Sequence, residues 1–142
     1  MDELTQQIID AGAKAAESCK SRPGGTLDFT EASLSVVEEM LAEAAQYASE
    51  LTPGQLKGLA QQFGSYILEV GRREFGGRYF WHEQRDQPVL IVGEPNFRIA
   101  IITWDKVRGR VSGDEGDNIV FFYSGFAERV RKANAGDDAL YV

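Results

Sequence analysis

Apolar residues recur at intervals of three and four along the first half of the chain, and this spacing predicts amphipathic helices. The first stripe comprises Leu4, Ile8, Ala11, Ala15 and Cys19, and three of these five side chains are small. A helix whose apolar face is this small is expected to pack weakly against its neighbours. Pro23 and the two glycines after it then break the pattern. We therefore expect residues 1–26 to form a loosely docked helix and a linker.

Two longer helices follow, and each has a recognisable start. Thr30 stands at the capping position of a helix predicted over about residues 31–50. The next helix begins with Thr52 and Gln55, which have the spacing of a capping box. It is expected to end at Gly76, because glycine readily takes the left-handed conformation that terminates a helix.

Two glycines, Gly64 and Gly71, lie inside this third helix, where each costs about 1 kcal/mol relative to alanine. Together with Ala60 and Ile67 they form a ridge of mainly small residues at spacings of four, three and four. We expect another helix or the sheet to approach closely along this ridge, since close packing would offset the cost.

The period shortens after Gly77. The segments "RYFWHE", "PVLIVG" and "NFRIAIIT" predict three antiparallel strands joined as a meander. A short helix is predicted at "TWDKVRGRVSG", a fourth strand at "IVFFY", and a closing helix, capped by Ser124, at "SGFAERVRKAN". Residues 134–142 are expected to form a frayed tail, although Leu140, Tyr141 and Val142 are apolar enough to dock.

These elements predict a single domain, residues 1–142, with an α+β fold. N-terminal helices would pack on a mainly antiparallel four-stranded sheet with a C-terminal helix. A length of 142 residues and a hydrophobic content of 43% suit one domain with a real core. The predicted core comprises Leu34, Val37, Leu41, Leu59, Phe63, Ile67, Ile91, Ile99, Ile101, Phe121 and Phe126.

The first predicted strand is apolar on both sides. Tyr79 and Trp81 point one way, whereas Phe80 and His82 point the other, because successive side chains alternate along a strand. Either helices cover both faces of the sheet, or helices cover one face and a partner protein covers the other. Internal cover is the preferred interpretation, and it places Trp81 in the core against the third helix.

Charge is unevenly distributed along the chain. The net charge is −7, and residues 1–71 carry all of the excess, with 11 acidic and 4 basic side chains. Such a surface repels nucleic acid and attracts a basic partner. The apolar runs are too short to span a membrane and no signal peptide is visible. A single cysteine suits a reducing compartment, so a cytoplasmic location is expected.

The candidate chemistry lies around the end of the third helix. The cations Arg72, Arg73 and Arg78 could hold an anion, with aromatic rings nearby. The chain's only histidine could move a proton beside a carboxylate. The candidate ligand-binding residues are Arg72, Arg73, Glu74, Arg78, Tyr79, Trp81 and His82. A structural interpretation is favoured, because cations at a helix C-terminus are stabilised by the helix dipole and Glu69 can pair with Arg73.

Other chemical motifs are weak or missing. "GSY" and "YSG" lack the flanking glycines of a nucleophile elbow, and a lone Cys19 on an alanine-rich face resembles a buried apolar residue. One histidine and one cysteine make a zinc site improbable, and "DEGDN" does not match a calcium loop. We therefore predict no catalytic residues, no metal site and no cofactor.

The segments "LDFTEASLSVVEEML" and "GSYILEVGRREFGGRYFW", followed by "PVLIVG" and "VFFY", resemble a group of small bacterial proteins of unknown function. The resemblance covers about residues 27–132. It implies kinship of fold and a bacterial source, and it implies no functional site.

Two functions are compatible with these residues. The first is a non-enzymatic protein-binding module of the immunity or regulatory type, with a protein partner that is basic in character; a homodimer is also possible. The alternative is a small-molecule or anion-binding pocket, with or without enzymatic activity, at the end of the third helix. Nucleic-acid and membrane partners are not expected.

Overall fold

A computed structural model describes residues 2–22 and 26–142 of the chain. Nine longer elements follow one another in sequence, and their bounds are α1 Glu3–Ser18, α2 Leu34–Ala45, α3 Pro53–Phe75, β1 Arg78–His82, β2 Gln87–Val92, β3 Arg98–Ile101, α4 Trp104–Val111, α5 Ile119–Arg131 and β4 Asp138–Tyr141. Short 3-10 helices occupy Glu31–Ser33, Ala48–Glu50 and Glu115–Asp117. The predicted second helix is thus an α-helix with 3-10 turns at both ends.

The four strands form one sheet in the order β1-β2-β3-β4. The first three strands are antiparallel neighbours, as the meander predicts, and β4 runs parallel to β3. The N-terminal helices pack on this sheet. The α+β class with a mainly antiparallel four-stranded sheet is therefore confirmed.

The central helix α3 begins and ends as its sequence predicts. The Thr52 side chain accepts a hydrogen bond from the Gln55 amide at 3.1 Å, and the Gln55 side chain accepts one from the Thr52 amide at 2.9 Å. This reciprocal pair satisfies two amides that the first turn leaves free. Gly76, with a φ of 76°, ends the helix and lets the chain turn into β1.

Gly64 and Gly71, inside α3, are points of close approach, as predicted. A Cβ at Gly64 would lie 3.1 Å from the Cα of Trp104 and closer still to its ring, so α4 crosses directly over this position. A Cβ at Gly71 would lie 3.0 Å from Leu90 in β2 and 3.5 Å from Phe126 in α5. The helix therefore accepts neighbours on two sides at positions where a larger side chain would hold them apart.

Helix α1 packs closely on α3, contrary to the expectation of loose docking. Ile8, Ala15 and Cys19 are buried and belong to the main core cluster. A Cβ at Gly12 would lie 3.4 Å from the backbone of Tyr66 in α3. Small side chains bring the two helices together instead of weakening their contact, which is why an alanine-rich stripe is sufficient here. The predicted linker at 23–25 lies outside the described residues.

The predicted fourth strand was wrong, because the segment "IVFFY" is the first part of α5. Its buried residues Ile119, Tyr123, Phe126 and Ala127 recur at helical spacing, and the Asn118 side chain caps the helix. The helix thus starts before Ser124, the predicted cap. In a helix Phe121 points outward, and its exposed fraction of 80% removes it from the predicted core.

The predicted frayed tail was also wrong. Residues 138–141 form β4, which pairs with the inner strand β3 along its whole length. The Tyr141 ring packs edge-on against Phe126 at a centroid distance of 6.2 Å. The tail thus supplies the strand that the earlier segment did not.

The rest of the predicted core is largely confirmed. Leu59 is only half-buried. The predicted residues that are buried are Leu34, Val37, Leu41, Phe63, Ile67, Ile91, Ile99, Ile101 and Phe126.

Candidate functional site

The cluster at the end of α3 is organised around a buried carboxylate that the candidate set omits, that of Glu69. Arg72 donates two hydrogen bonds to it, at 2.6 and 2.9 Å. The Tyr79 hydroxyl donates a third at 2.7 Å, and Arg73 lies 3.5 Å away. The carboxylate is fully buried, so these contacts hold β1 and the last turns of α3 together.

The electrostatics of this cluster stabilise the ionised acid. Burial pushes the pKa of Glu69 upward, but the hydrogen bonds from Arg72 and Tyr79 outweigh it, and the net pKa lies below the ordinary value. Burial raises the pKa of Tyr79, and the adjacent carboxylate raises it further. Tyr79 is therefore a neutral hydrogen-bond donor in the folded protein. Arg72 forms an ion pair with Glu69 and neutralises its charge.

The next two candidate residues face a different set of partners. Glu74 accepts hydrogen bonds from Arg131 at 2.8 Å and from the Tyr123 hydroxyl at 3.1 Å. The Arg73 guanidinium lies 3.6 Å from the centre of the Phe29 ring, in a cation–π contact. Arg73 and Glu74 line a hollow of about 300 Å³. The carboxylates of Glu74 and Glu31 at this hollow oppose the binding of an anion.

The remaining candidates lie along β1. The Arg78 guanidinium stands 5.6 Å from the centre of the Phe80 ring. His82 accepts a hydrogen bond from the Arg85 amide at its Nδ1 atom, at 3.2 Å, inside the hairpin between β1 and β2. Trp81 and His82 line a hollow of about 450 Å³ that is separate from the one beside Arg73. Of the seven candidate residues, Arg72 and Tyr79 contact the buried Glu69, two pairs line separate hollows, and Arg78 lines neither hollow.

The expected core position of Trp81 is wrong. Its exposed fraction is 41%, and its ring meets the Trp104 ring edge to face at a centroid distance of 6.1 Å. The third helix already has Trp104 seated on Gly64, so the room that this glycine leaves is filled from α4.

Strand alternation gives the sheet two distinct apolar faces. One face packs with the helices through buried residues such as Tyr79, Leu90 and Ile101. The other carries Val89, Ile91, Ala100 and Ile102, which are buried together in a second cluster that contains no helical residue among those the structure describes. We call this second surface the open face, and its apolar members are Phe80, Val89, Ile91, Ala100, Ile102, Leu140 and Val142.

The open face is concave and apolar, with a polar rim. Its hollow of about 450 Å³ is floored by Val89 and Ile91. Phe80 and Leu140, on the two edge strands, are 39% and 46% exposed. The sequence signal for this face was the apolar character of both sides of the strands. That signal identified β1. It could not show that Phe80, and not Trp81, lies on the face away from the helices, because the sequence does not say which side the helices occupy.

Two arginines flank the open face. Arg78 precedes Phe80 on β1, and Arg98 lines the hollow from β3. Within the part of the chain that the structure describes, neither guanidinium forms an ion pair. Glu83 and Glu94 stand elsewhere on the rim. The surface is therefore equipped for mixed apolar and charged contacts.

Among residues 2–22 and 26–142, no group of three or more His, Cys, Asp or Glu side chains is placed to hold one metal ion. The helices in this part of the chain include none with both the length and the apolarity to cross a bilayer.

Comparison with models of protein families, with curated proteins and with solved structures found no match to this chain.

Proposed function

We propose that this chain is a non-enzymatic protein-binding module of the regulatory or immunity type, and that it receives its partner on the open face of the sheet. The observation that carries the proposal is the second apolar cluster, built from Val89, Ile91, Ala100 and Ile102 without a helix over it in the described residues. A sheet that packs helices on one face commonly meets solvent with polar residues on the other. Here the second face is apolar instead, which is the character of a surface that another molecule covers.

The size of the open face suits a protein contact. Four strands spaced ~4.8 Å apart and five residues at ~3.3 Å each give the face a footprint of about 19 by 16 Å, or roughly 300 Å². Its exposed apolar surface belongs mainly to Phe80, Leu140 and Val142, because Val89, Ile91, Ala100 and Ile102 are at most 7% exposed. A typical stable interface covers about 800 Å² on each partner, so the rim loops around Glu83 and Glu94 would supply the remainder.

The rim indicates the chemistry of the partner surface. Arg78 and Arg98 favour carboxylates placed around an apolar centre, because a guanidinium binds a carboxylate through two parallel hydrogen bonds. The exposed acids of α1 and α2, among them Asp10, Glu17 and Glu39, favour a partner that is basic elsewhere on its surface. A cytoplasmic location, a bacterial source and kinship with the small proteins described above remain part of the proposal.

The anion pocket at the end of α3 is the second candidate, and its support is weaker. Arg72 already neutralises Glu69, and Arg73 is held over the Phe29 ring. The observation in its favour is that Arg73 is half-exposed and could reach a ligand. Binding of inorganic phosphate that Arg73→Ala abolishes and Arg129→Ala leaves intact would support this pocket.

The experiment for the binding module compares two aromatic positions with opposite expectations. A photo-crosslinking amino acid replaces Phe80 on the open face or Phe121 on α5, which is more exposed but lies outside that face. After irradiation in cells, the proposal predicts one specific adduct from position 80 and none of the same identity from position 121. A purified candidate partner should then lose about tenfold or more in affinity with Phe80→Glu. It should retain its affinity for Phe121→Glu.

Three results would count against the proposal. The first is equal loss of affinity in both glutamate variants, which would place the contact elsewhere. The second is the absence of any specific adduct from position 80. The third is an adduct with a second copy of the chain, together with a homodimer that Phe80→Glu dissociates at low concentration. That result would identify the open face as a homodimer contact.

A further inference from the structure

The two tryptophans of the chain line the same groove, on the side of the sheet opposite the open face. Trp81 enters it from β1 and Trp104 from the first turn of α4. The Trp104 ring nitrogen donates a hydrogen bond to the Ser65 hydroxyl at 3.3 Å, which fixes that ring. Helix α1 forms the opposite wall through Leu4 and Ile8. The groove therefore has a rigid aromatic end and an aliphatic wall.

All side chains that line this groove are uncharged. Its polar groups are the Gln7 and Gln61 amides and the Ser65 hydroxyl, and its volume is about 260 Å³. The Gln7 amide donates to Glu3, whereas the Gln61 side chain makes no hydrogen bond to other described residues. One amide is thus free to give and receive hydrogen bonds at the mouth of an apolar groove.

We propose that this groove is a binding site for a small neutral aromatic molecule of one or two rings that carries a carbonyl or amide edge. Rings of such a molecule can pack edge to face or offset against Trp81 and Trp104, the arrangement that aromatic side chains favour. Its polar edge bonds to the free amide of Gln61. A charged ligand is disfavoured, because it would lose hydration without meeting an opposite charge.

The dimensions support this ligand class. A cavity of about 150 Å³ accepts a benzene ring. The 260 Å³ of this groove therefore accommodates a substituted or fused ring, but not a nucleotide or a peptide. Ligand sites of this kind are concave and mostly apolar, with a few polar groups that fix orientation. The groove and the hollow of the open face share one residue, Trp81, whereas the other groove residues, among them Gln61 and Trp104, do not line that hollow.

The chain provides its own reporter for a test. Trp81 and Trp104 are the only tryptophans in the sequence and both line this groove, so tryptophan emission reports on it. Trp81 also lines the hollow of the open face, and Ala11→Leu, which alters the groove but not that hollow, separates the two signals. The probes are benzamide and its fused-ring analogue isoindolinone, compared with the charged isosteres benzoate and benzylamine. The proposal predicts a saturable change in emission with both neutral probes and none with the charged ones at the same concentrations. Amide chemical shifts in nitrogen-labelled protein should move around Gln61 and Trp104.

Three variants make the test specific. Ala11→Leu extends a side chain into the groove from α1 and should abolish saturation. Gln61→Leu should weaken benzamide about fivefold, as expected for one lost hydrogen bond. Gln62→Leu, on the neighbouring position of α3, lines a different hollow and should leave binding unchanged. Circular dichroism shows whether each variant is folded.

The proposal is overturned if neither neutral probe saturates, or if neutral and charged probes change the emission equally. It is also overturned if Ala11→Leu folds and still binds benzamide as the wild type does. These outcomes leave the protein-binding proposal untouched, because the two surfaces are tested by different residues.

Discussion

The Tyr79 hydroxyl donates a 2.7 Å hydrogen bond to the buried carboxylate of Glu69, and this contact joins the first strand of the sheet to the central helix. Arg72 holds the same carboxylate from one turn further along α3. The hydroxyl thus supplies one of the hydrogen bonds that a buried charge requires. Because β1 is an edge strand, this contact is one of the attachments that set its position on the helices.

Removing that donor should be costly. Tyr79→Phe keeps the ring but leaves the buried carboxylate with one hydrogen bond fewer, and a bond to a charged group is worth about 1.5–3 kcal/mol. We expect the free energy of unfolding, measured by urea denaturation, to fall by that amount. Tyr47→Phe is the control, because Tyr47 is exposed and should change stability by less than about 0.5 kcal/mol. Equal effects in both variants would contradict the role given to the Tyr79 hydroxyl.

The same carboxylate should make stability depend on acid pH. The folded protein lowers the pKa of Glu69 below its ordinary value of 4.5, because the hydrogen bonds from Arg72 and Tyr79 outweigh the effect of burial. The stabilisation is therefore complete above about pH 4.5 and is lost as the pH falls through the folded-state pKa. Glu69→Gln cannot ionise and should show a shallower decline of unfolding free energy in this range. Equal slopes for wild type and variant would show that other acids dominate.

Two glycines of α3 should respond oppositely to alanine. At Gly64 the new Cβ meets the Trp104 backbone, which cannot move aside as a flexible side chain could. We expect Gly64→Ala to destabilise the protein by about 1–3 kcal/mol, the usual range for overpacking. Gly58 has no neighbour within 4 Å of an added Cβ, so Gly58→Ala should stabilise by up to about 1 kcal/mol through helix propensity. Thermal melts of the two variants test this. A rise in stability with Gly64→Ala would show that helix propensity outweighs the close packing at this position.

Local signals predicted the central part of this fold well. The Thr52 capping box, the Gly76 terminus and the three-strand meander each depend on residues close together in sequence, and each was found where expected. The close approach at Gly64 was also predictable, since a glycine inside a helix needs compensation. The identity of the neighbour, Trp104, was not, because it lies on an element distant in sequence.

The errors share a physical cause, which is that tertiary partners decide ambiguous segments. "IVFFY" contains five apolar residues that suit a strand or a helix, and only the longer spacing from Ile119 to Ala127 distinguishes the two. The tail strand β4 forms because it pairs in parallel with the free edge of β3. Its four residues alone carry no local signal that predicts this pairing. In the candidate site, Glu69 was seen only as a helical partner of Arg73, since spacing alone does not show that Tyr79 returns to it.

The revised path of α5 can be checked with two phenylalanines one and a half turns apart. Phe126 is fully buried against Tyr123 and Tyr141, and Phe126→Ala should cost about 3–5 kcal/mol. Phe121 is 80% exposed, and Phe121→Ala should change the unfolding free energy by less than about 0.5 kcal/mol. A strand over "IVFFY" would instead bury alternate residues of that segment. A large loss of unfolding free energy in Phe121→Ala would favour that strand.

Trp81 provides the last prediction, because its position distinguishes a core aromatic from a groove aromatic. Deleting a large aromatic from a core costs about 3–5 kcal/mol, and Phe63, which is 1% exposed in α3, should behave in this way. The Trp81 ring is 41% exposed and retains an edge-to-face contact with Trp104, so part of its surface never leaves water. We expect Trp81→Ala to lower the unfolding free energy by about 1–2 kcal/mol, since an aromatic pair adds only about 0.5–1.5 kcal/mol beyond its buried area. The losses of unfolding free energy in Trp81→Ala and Phe63→Ala are compared by urea denaturation. Circular dichroism is the signal, because it does not depend on the tryptophan that Trp81→Ala removes. If the two variants lose equal stability, Trp81 belongs to the core and the groove between the two indoles is closed in solution.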